Sequence, residues 1–305
     1  MTTEQLLKNL QVPAGKIDVV LDTDAYNEID DQFAIAYMLR SPEKLHVKAI
    51  CAAPFFNQNS TSPADGMRRS YDEILNLMRL GGWEEMIPHV YKGSETYLPD
   101  ETTPVASDAA AYMAQLAEEY SAEKPLYIVA IGAITNVASA LLMNPSMKDK
   151  VVVVWLGGMA HHWNHNMEFN LYQDVAAARI IFGCGVPFVQ LPCGGVVDKF
   201  TTSRYELEHW LKGKNPLCDY LVRHTVEEAE SYAAGTAWTR VIWDVTAVAW
   251  LLNDDGRFMA DELRHSPIPE YDNRYAFDNT RHFMKYVSSI NRDALFTDLF
   301  QKLGK

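Results

Sequence analysis

Five short runs of apolar, largely β-branched residues constrain the fold of this chain more than any other feature. They are Ile17 to Leu21, Val47 to Ala52, Leu126 to Ile131, Val151 to Leu156, and Pro187 to Leu191. None alternates strictly between apolar and polar residues, the pattern expected of parallel strands buried on both faces. Segments with helical periodicity lie between them: Asp31 to Leu39, Gly66 to Leu80, Ser107 to Glu119, Asn136 to Leu142, and Asp174 to Phe182. This alternation predicts an α/β fold with a mostly parallel, Rossmann-like sheet flanked by helices. From Arg204 to Tyr232, and again from Asp244 onward, the pattern reads as mainly helical, so extra helices are expected toward the C-terminus. No Ser/Gly linker, low-complexity tract or internal repeat marks a boundary, and residues 1–305 are read as one domain.

A formal net charge of −13 argues against nucleic acid or an anionic membrane surface as a partner, since both would repel the chain. The opening segment "MTTEQLLKNLQVPAGK" has no basic region followed by an apolar core, and no apolar run approaches a membrane span. The four cysteines contain no Cys-x-x-Cys pair and are read as reduced thiols. A soluble, cytoplasmic protein is expected.

In open α/β sheets, ligands bind beyond the carboxyl ends of the strands. Here the first four runs end in "DTDAYNEIDD", "AAPFFN", "GAITN" and "GGMAHHWNHNMEFN". The first of these packs Asp22, Asp24, Glu28, Asp30 and Asp31 together with no basic residue interleaved. Helix capping by Asp30 or Asp31 accounts for one or two of these acids, not five. Carboxylates this close repel one another, so either one is protonated or a hard cation with oxygen ligands sits among them. In "GAITN", Thr135 or Asn136 is a natural helix cap, or the turn presents backbone toward the same crevice. The stretch from 155 to 174 crowds His161, His162 and His165 with Asn164, Asn166, Glu168 and Asn170. The histidines suit a softer metal than a carboxylate cage holds, whereas the amides and the carboxylate suit sugar hydroxyls. Asp244 is the one charge in the apolar run after Arg240, so it is paired, caps a helix, or ligates something.

Taken in order, these stretches resemble the calcium-dependent nucleoside hydrolases of the inosine-uridine-preferring family. That family carries Asp-x-Asp-Pro-Gly-x-Asp-Asp, Gly-Pro-Leu-Thr-Asn, a Gly-Gly…Glu-Phe-Asn loop and a late Asp. The resemblance implies hydrolysis of the N-glycosidic bond of ribonucleosides. It implies Ca²⁺ held by Asp24, Asp31, Asp244 and the Thr135 carbonyl, with Asp24 also the general base. Asp30, Glu168 and Asn170 would grip the ribose, helped by Asn57 and by Asn164 or Asn166, and Asp22 would support the loop. It also favours a homodimer or homotetramer with nucleoside as the bound partner. An oxocarbenium-like transition state suits such a site, because carboxylates around the ribose stabilise the developing positive charge.

Three departures stand out. The acidic loop is two residues longer than the family's, and "AAPFFNQNS" leaves Asn59 as an alternative to Asn57. Trp243 stands where many members have a His that protonates the leaving base, and so it is expected to stack on a purine, or a histidine from 161–165 substitutes. Two other functions are open to the same residues. "VVLDTDA" also resembles a haloacid-dehalogenase-like Mg²⁺ phosphatase with Asp22 as nucleophile, and a non-catalytic nucleoside or ribose sensor would keep the pocket without turnover.

Overall fold

The segment Val151–Leu156 is buried at every position, as is Leu126–Ala130 beside it. Residues apolar on both faces can satisfy their backbone only inside a sheet covered by helices on both sides. A computed structural model describing all 305 residues has this arrangement. In chain order the strands are β1 (Ile17–Thr23), β2 (Leu45–Ala52), β3 (Val90–Lys92), β4 (Leu126–Ala130), β5 (Val151–Leu156) and β6 (Phe188–Leu191). They continue with β7 (Thr201–Thr202), β8 (Arg240–Val241), β9 (Met259–His265), β10 (Ile268–Pro269), β11 (Tyr275–Ala276) and β12 (Phe283–Ile290). Eight of them form one sheet in the order β3-β2-β1-β4-β5-β6-β12-β9, and the remaining four pair as two short ladders. All neighbours in the large sheet are parallel except β12 and β9.

The helices are α1 (Thr3–Asn9), α2 (Asp31–Leu39), α3 (Pro63–Gly81), α4 (Asp108–Leu116), α5 (Thr135–Met143) and α6 (Phe169–Gln173). Then come α7 (Val175–Gly183), α8 (Arg204–Trp210), α9 (Pro216–Ala233), α10 (Val245–Leu251) and α11 (Arg292–Leu303). Local chemistry sets several boundaries. Ser62 caps α3 with Pro63 as its first residue, and Gly82 ends it at a φ of 71° in the left-handed region. One apolar cluster of 88 buried residues runs through the molecule. No helix is long and apolar enough to cross a membrane, and all four cysteines are free.

The expected helical pattern after Asp244 holds for α10 and α11 but not between them. There β9 and β12 extend the large sheet. Met, Ala, Glu and Leu in β9 are good helix formers, and only Met259 of that strand is buried. It is a solvated edge strand held by pairing to β12, so tertiary context overrides local propensity.

The order of the sheet positions the site. From β1 the chain moves outward to β2 and β3, then returns to the other side of β1 with β4. The loops after β1 and β4 therefore diverge at this reversal and leave a crevice beyond the strand ends.

Candidate active site

A cavity of about 350 Å³ opens in that crevice. Seven carboxyl groups face it, from Asp24, Glu28, Asp30, Asp31, Glu168, Asp198 and Asp244, and no Lys, Arg, His or Tyr does.

Helix capping does not explain the acids. Asp30 occupies the N-cap position of α2 and Asp244 that of α10, yet neither side chain makes a capping hydrogen bond. Their carboxylates turn inward instead: Asp30, Asp31 and Asp244 bring oxygen atoms within 4.8 Å of one another, all three buried. The Thr23 hydroxyl donates to Asp31, and the Asp244 backbone N–H donates to Asp30 Oδ2 at 3.3 Å. Asp24 is 1% exposed, and both of its carboxyl oxygens are buried without a partner. A Cβ on Gly132, in the loop after β4, would stand 3.0 Å from the Asp24 carboxyl, so any side chain there would crowd the carboxylate.

Burial pushes the carboxyl pKa of Asp24 well up, and the neighbouring Asp31 and Asp30 charges add to the rise. Burial does the same to Asp244, and the charge of Asp30 contributes next. Asp30 rises through burial and the charge of Glu28, opposed by Arg240. Asp31 is pushed up to about 6 by burial, against the hydrogen bond from Thr23. A buried anion without a counter-charge is unfavourable, and so the group is poised to take a proton or a cation. Every donor in the set is a hard oxygen, which fits Ca²⁺ or Mg²⁺.

Asp22 is not in the cavity. It is fully buried at the end of β1, where Oδ1 accepts from Asn136 Nδ2 at 2.8 Å, and burial raises its pKa to about 7. Asn136 also donates to the Ala52 carbonyl and accepts from the Ser94 amide and hydroxyl, so it ties the ends of β1 and β2 to the loop after β3. It does not cap α5. A phosphatase nucleophile at Asp22 has no access to this cavity, and the phosphatase expectation fails on that placement.

The other expected residues divide into two groups. Glu168 faces the cavity and is held by N–H groups of Gly158, Asn170 and Leu171 at 2.7 to 3.0 Å, capping α6. Asn170 faces it too; its Nδ2 donates to the carbonyls of Ile131 and Leu156, which leaves its acceptor oxygen for a ligand. Trp243 lines the cavity, half-buried against the core. Thr135 is fully buried at the head of α5 with its hydroxyl on Asp174 at 2.6 Å, and it is not on the cavity wall. Asn57 is off the wall as well, donating to the side chain of Asn27, which is on it. Asn59 braces the same turn through the Asn27 carbonyl. Asn164 is exposed, and Asn166 is buried with its oxygen on the Met159 amide.

No histidine of the 161–165 cluster reaches the cavity, so none substitutes for the missing acid. His161 packs among Tyr275, Phe277 and Tyr286, with Nε2 2.8 Å from Gln190 Oε1. Burial pushes its pKa down to about 4, so it is neutral.

Sequence reasoning missed Asn27, Trp163 and Asp198. Asn27 lay within the acidic loop, and Trp163 within the histidine-rich stretch. Asp198 follows β6, a fifth strand end whose "CGGVVD" continuation carried the same Gly-rich signal as the loop after β5.

The comparisons with known proteins agree with this geometry. The model of the inosine-uridine preferring nucleoside hydrolase family matches residues 19–286. A pyrimidine-specific ribonucleoside hydrolase, RihA of Salmonella typhimurium, is 28% identical over 261 residues, which cover 78% of this chain and 80% of that one. Among solved structures, the plant nucleoside hydrolase PpNRh1 superposes with a TM-score of 0.75 at 21% identity, over 94% of this chain and 99% of that one. A purine-preferring ribonucleoside hydrolase from Gardnerella vaginalis has the same TM-score at 20% identity, over 94% and 98%. These two likenesses are of fold. The family match, however, spans the strand ends that carry Asp24, Asp31, Glu168 and Asp244, and it places the chain among the inosine-uridine preferring nucleoside hydrolases, enzymes that cleave N-glycosidic bonds.

Proposed function

We propose that this ribonucleoside hydrolase uses Asp24 as its general base and a Ca²⁺ ion held by Asp24, Asp31, Asp244 and the Thr135 carbonyl. The observation that carries this reading is Asp24 itself, a buried carboxylate with two unpartnered oxygens facing the cavity. When bound, the ion would lower the pKa of a water and take up the ribose diol. Asp30, Glu168 and Asn170 orient the ribose through its hydroxyls, and Asn27, braced by Asn57 and Asn59, joins them from the lengthened loop. Asp24 accepts a proton from the attacking water as its oxygen bonds to C1′. The C1′–N bond breaks with its electron pair leaving on the base nitrogen, and the surrounding carboxylates stabilise the positive charge developing on the sugar.

Trp243 supplies a flat apolar face beside Asp244, suited to stacking on the larger purine bases. The RihA and Gardnerella enzymes differ in base preference, one being pyrimidine-specific and the other purine-preferring. The purine preference therefore rests on Trp243.

The test is release of reducing sugar from inosine, adenosine, guanosine, uridine and cytidine, with Asp24→Ala as control and retained metal measured in parallel. Ribose release that is lost in the variant, with purines ranked first, is the expected result. Nucleoside binding without any ribose release, in protein carrying Ca²⁺, would overturn the reading in favour of a sensor.

A further inference from the structure

We propose that the ribonucleosides this site favours most are those whose base is a positively charged heteroaromatic ring, selected by Asp198 and Trp163; the proposal rests on the hydrolase reading above. Asp198 Oδ2 accepts from the Gly195 N–H at 2.9 Å, which fixes the carboxylate at the cavity wall. Its Oδ1 is buried and has no hydrogen-bond partner. Trp163 lies across the same two glycines: a Cβ at Gly194 would stand 3.0 Å from its ring, and one at Gly195 would stand 2.6 Å from Nε1. Trp163 and Asp198, one of whose carboxylate oxygens is left without a partner, thus belong to one short stretch of wall. A flat cation satisfies both, through the ring face and through the charge.

The rest of the cavity points the same way. No cationic side chain faces it to repel a positive base, and no His, Lys or Tyr faces it to protonate a neutral one. A positively charged base needs no such proton. As the C1′–N bond breaks, its electron pair returns to the ring nitrogen and cancels the ring's charge. The water oxygen bonds to C1′, and its proton passes to Asp24 and then to solvent. The products are ribose, a neutral base and one proton, so charge and atoms balance.

The experiment compares kcat/KM for 7-methylguanosine, at mildly acidic pH where its ring is cationic, with that for guanosine. Each value is divided by the uncatalysed rate of the same nucleoside, which removes the intrinsic lability of the methylated compound. The expected ratio favours 7-methylguanosine by at least about tenfold in the native protein and falls toward one in Asp198→Asn, chiefly through KM. A second readout needs no variant: inhibition of guanosine hydrolysis by cationic N-methylnicotinamide should exceed that by neutral nicotinamide. Guanosine hydrolysis with a native ratio at or below one, or with a ratio unmoved in Asp198→Asn, overturns this proposal and leaves the hydrolase reading standing. Absence of ribose from every nucleoside overturns both.

Discussion

Two groups of buried ionisable side chains sit in loops at the same end of the sheet, and they have opposite characters. Beside Asp24, whose two carboxyl oxygens lack a partner, Asp30, Asp31 and Asp244 crowd together. Around His161, the imidazole is satisfied: Gln190 meets one nitrogen, Arg264 lies 3.2 Å from the other, and three aromatic rings enclose it. Both stretches looked equally dense in chemistry-bearing residues. What separates them is unfilled bonding capacity: Asp24 is left without a partner for either carboxyl oxygen by the fold itself, whereas His161 is saturated by it. A buried polar group with no partner is a place where a ligand gains the most.

The largest expected effect lies on the unfilled side. Asp244→Asn should lower ribose release on the order of a thousandfold and strip the retained metal, read by sugar assay and elemental analysis. Full metal retention would break the contrast, because Asp244 would then be as saturated as His161. Calcium at a hundredfold over its Kd should raise stability by about 2.7 kcal/mol. Differential scanning calorimetry should show this gain weakening as pH falls through about 6, where Asp31 takes up a proton and competes with the cation.

The His161 side should respond to pH in the same direction, over a range reaching lower. Its folded pKa of about 4 lies below the ordinary value of 6.5, so the folded state releases a proton that the unfolded state keeps. That contribution is complete above 6.5 and is lost as pH falls toward 4, by about 3 kcal/mol. Urea unfolding of His161→Phe should lack this loss; an identical pH profile would place the titration elsewhere. The smallest effect is expected at Asn164. Exposed and off the cavity wall, it should tolerate Asn164→Ala with less than about a twofold change in KM. A larger change would bring its loop into the site.

Five of the parallel strands, β1, β2, β4, β5 and β6, were legible because burial on both faces leaves an unbroken apolar run, as in Val151–Leu156, whereas the short β3 and the late β12 were not. Asp31–Leu39 appears with the bounds that its periodicity predicts. The solvated edge was not legible: β9 carries helix formers and is a strand only because β12 lies beside it. The same division runs through the site. Asp24, Asp30, Asp31 and Asp244 stand out as charges in apolar surroundings, and all four face one cavity. Asn57 and Asn27 are both amides after strand ends, and nothing in one dimension says that the first supports the second. Asp198 approaches the cavity through a tight Gly194–Gly195 turn, a relation set by three-dimensional closure.

The reversal between β1 and β4 has an evolutionary corollary. On the proposed roles, the residues that handle the sugar come from β1, the head of α10 and the loop after β5, while Trp163, Asp198 and Trp243, set against the base, come from the loops after β5 and β6 and from the same helix head. Sugar grip and leaving-group choice are thus interleaved along the chain: the loop after β5 and the head of α10 each carry both. Only the loop after β6 carries a base-facing residue, Asp198, with no sugar-facing neighbour, so exchanges there can retune which base departs without disturbing the ribose grip. A lineage built on this scaffold is free to diversify its substrates through that one loop.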